Sequence, residues 1–206
     1  MGTIGFIGGG NMAEALVKGI VAAKIYKPQN ILVSDIRQER LKLLAEQYGI
    51  KPVSDNASVA ANVDILVLAV KPQNMTDALQ SIKGALKKDV LVISIAAGKK
   101  ISGITGVLGD VAMVRVMPNT PALIGEGASA LFANEKAKPM LKKAEKIFYK
   151  IMEEMHRNQK FLNKNISHQK ANQSIINNFK NKNLITPKVH ALLLNHRIVN
   201  ENDEII

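Results

Sequence analysis

Gly8, Gly10 and Ala13 stand in a G-x-G-x-x-A spacing, directly after the apolar run Ile4-Gly5-Phe6-Ile7 and at the opening of the stretch Asn11-Met12-Ala13. The chemistry this spacing serves is the binding of a pyrophosphate. Gly8 permits a tight turn, Gly10 lets backbone N–H groups approach the anion, and the small Ala13 lets a following helix lie close against a sheet. The anion then faces a helix N-terminus, where unpaired N–H groups and the helix dipole both favour negative charge. Glycine-rich corners also occur where packing merely demands small side chains, so the surroundings decide. Here a strand pattern precedes the glycines, an amphipathic stretch follows, and Asp35 stands after the next strand, at the interval where a dinucleotide fold places a residue that meets the adenosine ribose.

An acid at that place hydrogen-bonds a free 2′-hydroxyl and repels a 2′-phosphate, whereas Ser34, Arg37 and Arg40 are placed to hold such a phosphate. The residues therefore argue in both directions. Arg37 and Arg40 suit a solvated helix surface equally well, and Asp35 equally suits a cap on the following helix. Further candidates are small or Pro-flanked residues at the ends of apolar runs: Asn56; Ala69-Val70-Lys71-Pro72; Ala96-Ala97-Gly98; and Pro118-Asn119-Thr120-Pro121. In an open α/β sheet, ligands bind outside the carboxyl ends of the strands. A rigid turn at that edge presents the Asn119 amide and the Thr120 hydroxyl where a nicotinamide and its substrate would be oriented. Thr120-Pro121 also suits a helix N-cap and first turn.

These residues need a frame to bring them together, and the pattern supplies one. Short, nearly continuous apolar runs, Asn30 to Ser34, Val63 to Val70, Val90 to Ile95 and Ala112 to Met117, read as buried parallel strands. Between them lie helical stripes: Ala15, Leu16, Gly19, Ile20 and Ala23; Leu41, Leu44 and Ala45; Met75, Leu79, Ile82 and Leu86; and a short helix from Ile101 to Leu108. Gly49 ends the second of these helices, Ile50 to Val53 is predicted to be a short strand, and Ser54-Asp55-Asn56 offers a cap for a helix through Ala61. Gly125 to Phe132 reads as a last strand, and Glu135 to Tyr149 as a basic amphipathic helix. The fold class is α/β, a doubly wound parallel sheet of Rossmann type, with a short irregular or partly helical C-terminal tail.

The balance of 28 Lys and Arg against 17 Asp and Glu, a net +11, invites anionic partners. Aromatic residues make up only 4% and do not interleave with the basic clusters, which argues for a phosphate-bearing cofactor and against nucleic acid. The absence of cysteine excludes disulfides and thiolate metal sites and makes a reducing cytoplasm the expected compartment. Met1 runs almost directly into the first strand, with no room for a signal peptide, and no apolar run is long enough to span a membrane.

The segments Gly5-Phe6-Ile7-Gly8-Gly9-Gly10-Asn11-Met12-Ala13, Ala69-Val70-Lys71-Pro72, Ser94-Ile95-Ala96-Ala97-Gly98 and Arg115-Val116-Met117-Pro118-Asn119-Thr120-Pro121-Ala122, in this order, resemble those of the pyrroline-5-carboxylate reductases. The resemblance spans about Met1 to Tyr149. It implies an NADPH-binding domain, NADH serving some members, with Phe6 and Ile7 leading into a phosphate turn at Gly8, Gly9, Gly10, Asn11 and Met12. It also implies an adenosine end near Ser34, Asp35, Arg37 and Asn56, and a cofactor lining of Ala69 to Pro72 and Ala96 to Gly98. Asn119 and Thr120 would approach the nicotinamide. The implied reaction is hydride delivery to the imine carbon of 1-pyrroline-5-carboxylate, giving proline, with imine protonation making that carbon electrophilic.

Beyond Tyr149 the family pattern stops, including the long helical domain that builds the family's homo-oligomer and holds the substrate carboxylate. The expected division is therefore a dinucleotide-binding domain over 1–150 and a divergent tail over 151–206. The tail is rich in Asn, Lys and Ile, as in Asn177-Asn178-Phe179-Lys180-Asn181-Lys182-Asn183, a composition that favours neither packed helix nor strand. Such a shift is what AT-rich DNA yields when its reading frame slips, so the tail is read as frameshifted, truncated or disordered. Only Met152 to Leu162 and Val189 to Val199 have helical character. The four histidines, His156, His168, His190 and His196, fit no metal-site spacing.

Overall fold

The structure is a computed structural model that describes residues 2–118, 128–159 and 190–193. Its centre is a sheet in the order β3-β2-β1-β4-β5-β6-β7-β8, formed by β1 (Ile4–Ile7), β2 (Ile31–Ser34), β3 (Lys51–Pro52), β4 (Ile65–Leu68), β5 (Leu91–Ser94), β6 (Ala112–Pro118), β7 (Ala128–Ala133) and β8 (His190–Leu193). The first six strands pair in parallel. β1, β2, β4 and β5 are buried along their whole length, which is why they read as unbroken apolar runs and not as alternating ones.

Helices α1 (Asn11–Ala22), α2 (Gln38–Tyr48), α3 (Asn56–Asn62), α4 (Met75–Ile82), α5 (Ile101–Leu108) and α6 (Leu141–Gln159) cover the sheet. One core cluster packs Leu16, Ile20, Leu44, Ala144, Phe148 and Ile151 against one face. The other packs Val59, Leu79, Ile82 and Ile104 against the opposite face. This is the doubly wound, Rossmann-type arrangement, and its reversal of strand order beside β1 opens a crevice at the carboxyl ends of β1 and β4.

Several details depart from the sequence reading. The short third strand is confined to Lys51–Pro52. The strand read at Gly125 to Phe132 is Ala128–Ala133 and runs antiparallel to β6, while 125–127 lie outside the described residues. Glu135 to Met140 forms 3-10 turns containing Pro139, and the α-helix begins at Leu141 and continues to Gln159. Proline donates no backbone hydrogen bond, and Asn134 caps the tighter turns by accepting from the Ala137 N–H at 3.0 Å. The helical character read into Val189 to Val199 does not hold for its described part, since His190–Leu193 pairs antiparallel with β7. Backbone pairing with an existing edge strand outweighs weak local helix preference there.

The end of the core is set by a close helix crossing. A Cβ placed on Gly19 of α1 would lie 2.5 Å from Ile151 Cγ2 of α6, so the two helices approach through a missing side chain.

Candidate functional site

Where β1 ends, the chain turns at Gly8 with φ +97°, a conformation that disfavours any residue with a Cβ. Its surroundings are equally restrictive. A Cβ there would meet Ala69 C and O at 3.0 Å and Val70 Cγ1 at 3.1 Å. The Gly8 N–H donates to the Ser34 carbonyl at 2.8 Å, and the Ala69 N–H donates to the Ile7 carbonyl at 2.9 Å, so the carboxyl ends of β1, β2 and β4 meet at this turn.

Gly9 is gripped at both of its backbone polar groups. Its N–H donates to Asp35 Oδ2 at 2.7 Å and its carbonyl accepts from Arg40 Nε at 2.6 Å. Gly10 is the N-cap of α1 with extended backbone (φ −67°, ψ 179°) and provides no side-chain cap. A Cβ on Gly10 would have nothing within 4 Å. The first N–H groups of a helix have no intrahelical partner, so α1 presents an uncapped, positive dipole end to open space. These features fit a pyrophosphate: an approach path that a side chain would obstruct, and donors with nothing else to bind.

Asp35 does not cap α2, whose N-cap is Arg37 without a side-chain cap bond. Its Oδ1 accepts from the Arg37 N–H at 2.9 Å and from Arg37 Nε at 3.0 Å. Burial pushes the Asp35 carboxyl up, but the Arg37 side-chain and backbone bonds and the Gly9 N–H together hold it below the usual aspartate value. Arg37 remains largely exposed, at 58% of its side-chain surface. Arg40 turns inward instead: its Nη2 pairs with Glu14 Oε2, and Tyr48 donates to Glu14 Oε1 at 2.9 Å. Burial raises the Glu14 carboxyl, and the bonds from Arg40 and Tyr48 lower it further than burial raises it. Burial and the bond to Glu14 push the Tyr48 hydroxyl up to about 12.

Ser34 is buried, and its hydroxyl donates to Asn56 Oδ1 at 2.7 Å. Asn56 Nδ2 donates to Ser81 Oγ at 2.9 Å, which donates to the Ala78 carbonyl at 2.7 Å. Ser34 and Asn56 thus link β2 through α3 to α4. Asp55 caps α3 by accepting from the Ser58 N–H at 2.7 Å. The side chains of Phe6 and Ile7 lie in the core, leaving only their backbone at the turn. Asn11 is exposed and Met12 half-buried in the first turn of α1; Val70 and Pro72 are half-buried and Lys71 is exposed. One strand further along the same edge, Ala96 is buried while Ala97 and Gly98 are exposed. Asn119 and Thr120 lie outside the described residues.

The structure therefore gathers the glycine turn, Asp35, Arg37, Ala69 and Val70 at one place and carries Ala96 to Gly98 on the neighbouring strand end. Glu14, Arg40 and Tyr48, which also converge on the turn, were not among the sequence candidates for the phosphate turn itself. Opposite charges in the first turns of two separate helices were the only trace of them. Among the described residues no cluster of His, Asp or Glu is arranged to hold a metal, and no helix is long and apolar enough to cross a membrane.

Residues 3–98 match the family model described as NADP oxidoreductase coenzyme F420-dependent. The chain is 43% identical over 147 residues to the pyrroline-5-carboxylate reductase of Methanosarcina acetivorans, covering 70% of this chain and 54% of that protein. The pyrroline-5-carboxylate reductase structure from Coxiella burnetii superposes with a TM-score of 0.67 at 37% identity, over 75% of this chain and 56% of that one. The Plasmodium falciparum pyrroline carboxylate reductase with NADP bound gives a TM-score of 0.63 at 31% identity, over 75% and 55%. The chain spans about half the length of the curated relatives it matches. In sequence and in fold, the N-terminal part of this chain is similar to about half of a pyrroline-5-carboxylate reductase.

Proposed function

We propose that the chain binds NADPH at the glycine turn and serves hydride transfer to 1-pyrroline-5-carboxylate, forming proline in the cytoplasm. The observation that carries the reading is the uncapped N-terminus of α1 at Gly10, open on the side where a Cβ would point, at the carboxyl edge of the sheet. When bound, the nicotinamide supplies the hydride. The chain's part is to hold and orient. The N–H groups of Gly10, Asn11 and Met12 face the pyrophosphate, with Gly9 fixed from behind by Asp35 and Arg40. Phe6 and Ile7 contribute backbone only. Ser34 and Asn56 support the adenosine end from beneath, and the exposed Arg37 guanidinium, paired with Asp35, exchanges part of that pairing for a 2′-phosphate, which favours NADPH over NADH.

Ala69 to Pro72 and Ala96 to Gly98 form the walls along the ribose and nicotinamide, where small side chains permit close approach. Asn119 and Thr120 orient the nicotinamide and the substrate. Residues 1–150 are the cofactor-binding unit in this reading and 151–206 a divergent segment, and that segment or a partner chain supplies the substrate wall that the family's helical domain provides.

A second reading, a module that binds the cofactor without turnover, is favoured by the match ending at about half the length of the relatives. Two assays on one sample separate the two: NADPH oxidation in the presence of 1-pyrroline-5-carboxylate, and a direct NADPH titration. Turnover supports the reductase, binding alone supports the module, and absence of binding overturns both.

A further inference from the structure

Arg40 is joined to the phosphate turn by a bond that no requirement of the sheet explains. It lies in the first turn of α2, yet its guanidinium reaches the Gly9 carbonyl through Nε at 2.6 Å while Nη2 pairs with Glu14 Oε2. Only 17% of its side-chain surface is exposed. Glu14 is in turn held on its other oxygen by Tyr48 at 2.9 Å. With its charge matched by Glu14, the guanidinium contributes position more than field.

The position matters because of peptide planarity. In a trans peptide the carbonyl and the following N–H point in opposite directions and cannot turn independently. Drawing the Gly9 carbonyl toward α2 therefore turns the Gly10 N–H away from α2. Asp35 fixes the preceding peptide by accepting the Gly9 N–H. The Gly9–Gly10 unit, which has no side chain to restrain it, is thereby held in one orientation. A planar, two-pronged guanidinium can bond a carbonyl and a carboxylate at once, which a lysine ammonium does with far less geometric definition.

We infer that Arg40, braced by Glu14 and Tyr48, is a positioning residue that aims the Gly10 N–H at the cofactor pyrophosphate and does not itself read the 2′-phosphate. This rests on the reading that the turn takes a dinucleotide. It predicts that Arg40 supports NADPH and NADH equally, because both carry the same pyrophosphate.

The test uses the full chain labelled at glycine nitrogen, as wild type and as Arg40→Gln, Arg40→Lys and Glu14→Gln. The expected result for Arg40→Gln is a displaced Gly10 amide resonance with Gly84 and Gly98 unmoved. NADPH and NADH dissociation constants should both rise about ten-fold, as loss of one charge-assisted hydrogen bond implies. Arg40→Lys should recover part of the affinity, and Glu14→Gln should shift the same resonance by less. An unmoved Gly10 amide, or affinities for both nucleotides within about two-fold of wild type, overturns the inference. So does a loss confined to NADPH, which would make Arg40 a direct phosphate ligand. If Arg40→Gln fails to fold, Glu14→Gln decides by the same criteria. If wild type binds neither nucleotide, the cofactor reading falls, while the Gly10 resonance still reports whether Arg40 sets the turn.

Discussion

The Gly9 N–H donates to Asp35 Oδ2 at 2.7 Å, so the carboxylate that ends the second strand holds the glycine turn in place from behind. Both of its oxygens are engaged, one by Gly9 and Arg37 Nη2 and the other by the Arg37 N–H and Nε. Asp35 thus joins the turn to the start of α2 and leaves Arg37 as the most exposed charged group beside it.

Asp35→Ala is expected to lower stability by about 1–3 kcal/mol, since it strands a partly buried N–H. The folded-state value of Asp35 lies below its ordinary value of 3.8. The carboxylate's contribution is therefore present above the unfolded-state value and lost as pH falls through the folded one. Urea denaturation of Asp35→Asn and wild type should show a gap at neutral pH that narrows below about pH 4.

Gly8 and Gly10 should respond oppositely to alanine. Gly8→Ala imposes a Cβ on a positive φ and on the Ala69 backbone, and should cost about 1–3 kcal/mol of stability or more. Gly10→Ala meets no protein atom and should leave the denaturation midpoint within about 0.5 kcal/mol of wild type. It should nevertheless weaken NADPH binding at least about ten-fold, because the added methyl occupies the anion's approach. Equal binding by Gly10→Ala and wild type would remove the turn from the cofactor site.

Tyr48 should ionise late. Its hydroxyl, pushed up to about 12, donates to Glu14 when neutral, so its contribution is present below the ordinary value of 10 and lost as pH rises toward 12. Ultraviolet titration of wild type against Tyr48→Phe should assign the late ionisation step to this residue. The stability gap between the two, on the order of 1 kcal/mol at neutral pH, should close over the same interval.

Arg37→Gln should raise the NADPH dissociation constant by about ten-fold or more while changing that for NADH far less, if the exposed guanidinium meets the 2′-phosphate. Titration with both nucleotides reads the ratio directly. An unchanged ratio would move the phosphate contact elsewhere.

Gly19→Ala should destabilise the fold by about 1–3 kcal/mol through overpacking against Ile151. Adding Ile151→Ala should not add its full separate cost, because residues in contact couple. A double-mutant cycle by denaturation measures the coupling.

The parallel strands were legible because strands buried on both faces must be apolar at nearly every position, as Ile65 to Leu68 and Leu91 to Ser94 are. The helix Ile101–Leu108 and the left-handed stop at Gly49 followed from the same pattern and from turn chemistry. The last helix starts later and runs on further than Glu135 to Tyr149, because Pro139 sits in the 3-10 turns before it and Ala144, Ile147, Phe148 and Ile151 keep one periodic stripe across the point where composition changes. β8 gave no signal, since a short edge strand draws its stability from the backbone of its neighbour. In the candidate site, the glycines and Asp35 were legible from their spacing together with the strand and helix patterns around them. The inward turn of Arg40 was not, because an arginine near a helix start looks identical in sequence whether it meets water or a carbonyl.

The seating of Ile151 into the gap at Gly19 has a consequence for synthesis on the ribosome. α1, whose first turn carries the proposed anion-binding donors, is made early, yet the surface that covers its flank at Gly19 belongs to a helix made much later. Until α6 emerges, one flank of α1 has no partner, and the nascent domain carries an open apolar seam. The flank of the first helix at Gly19 is covered only when the sixth arrives.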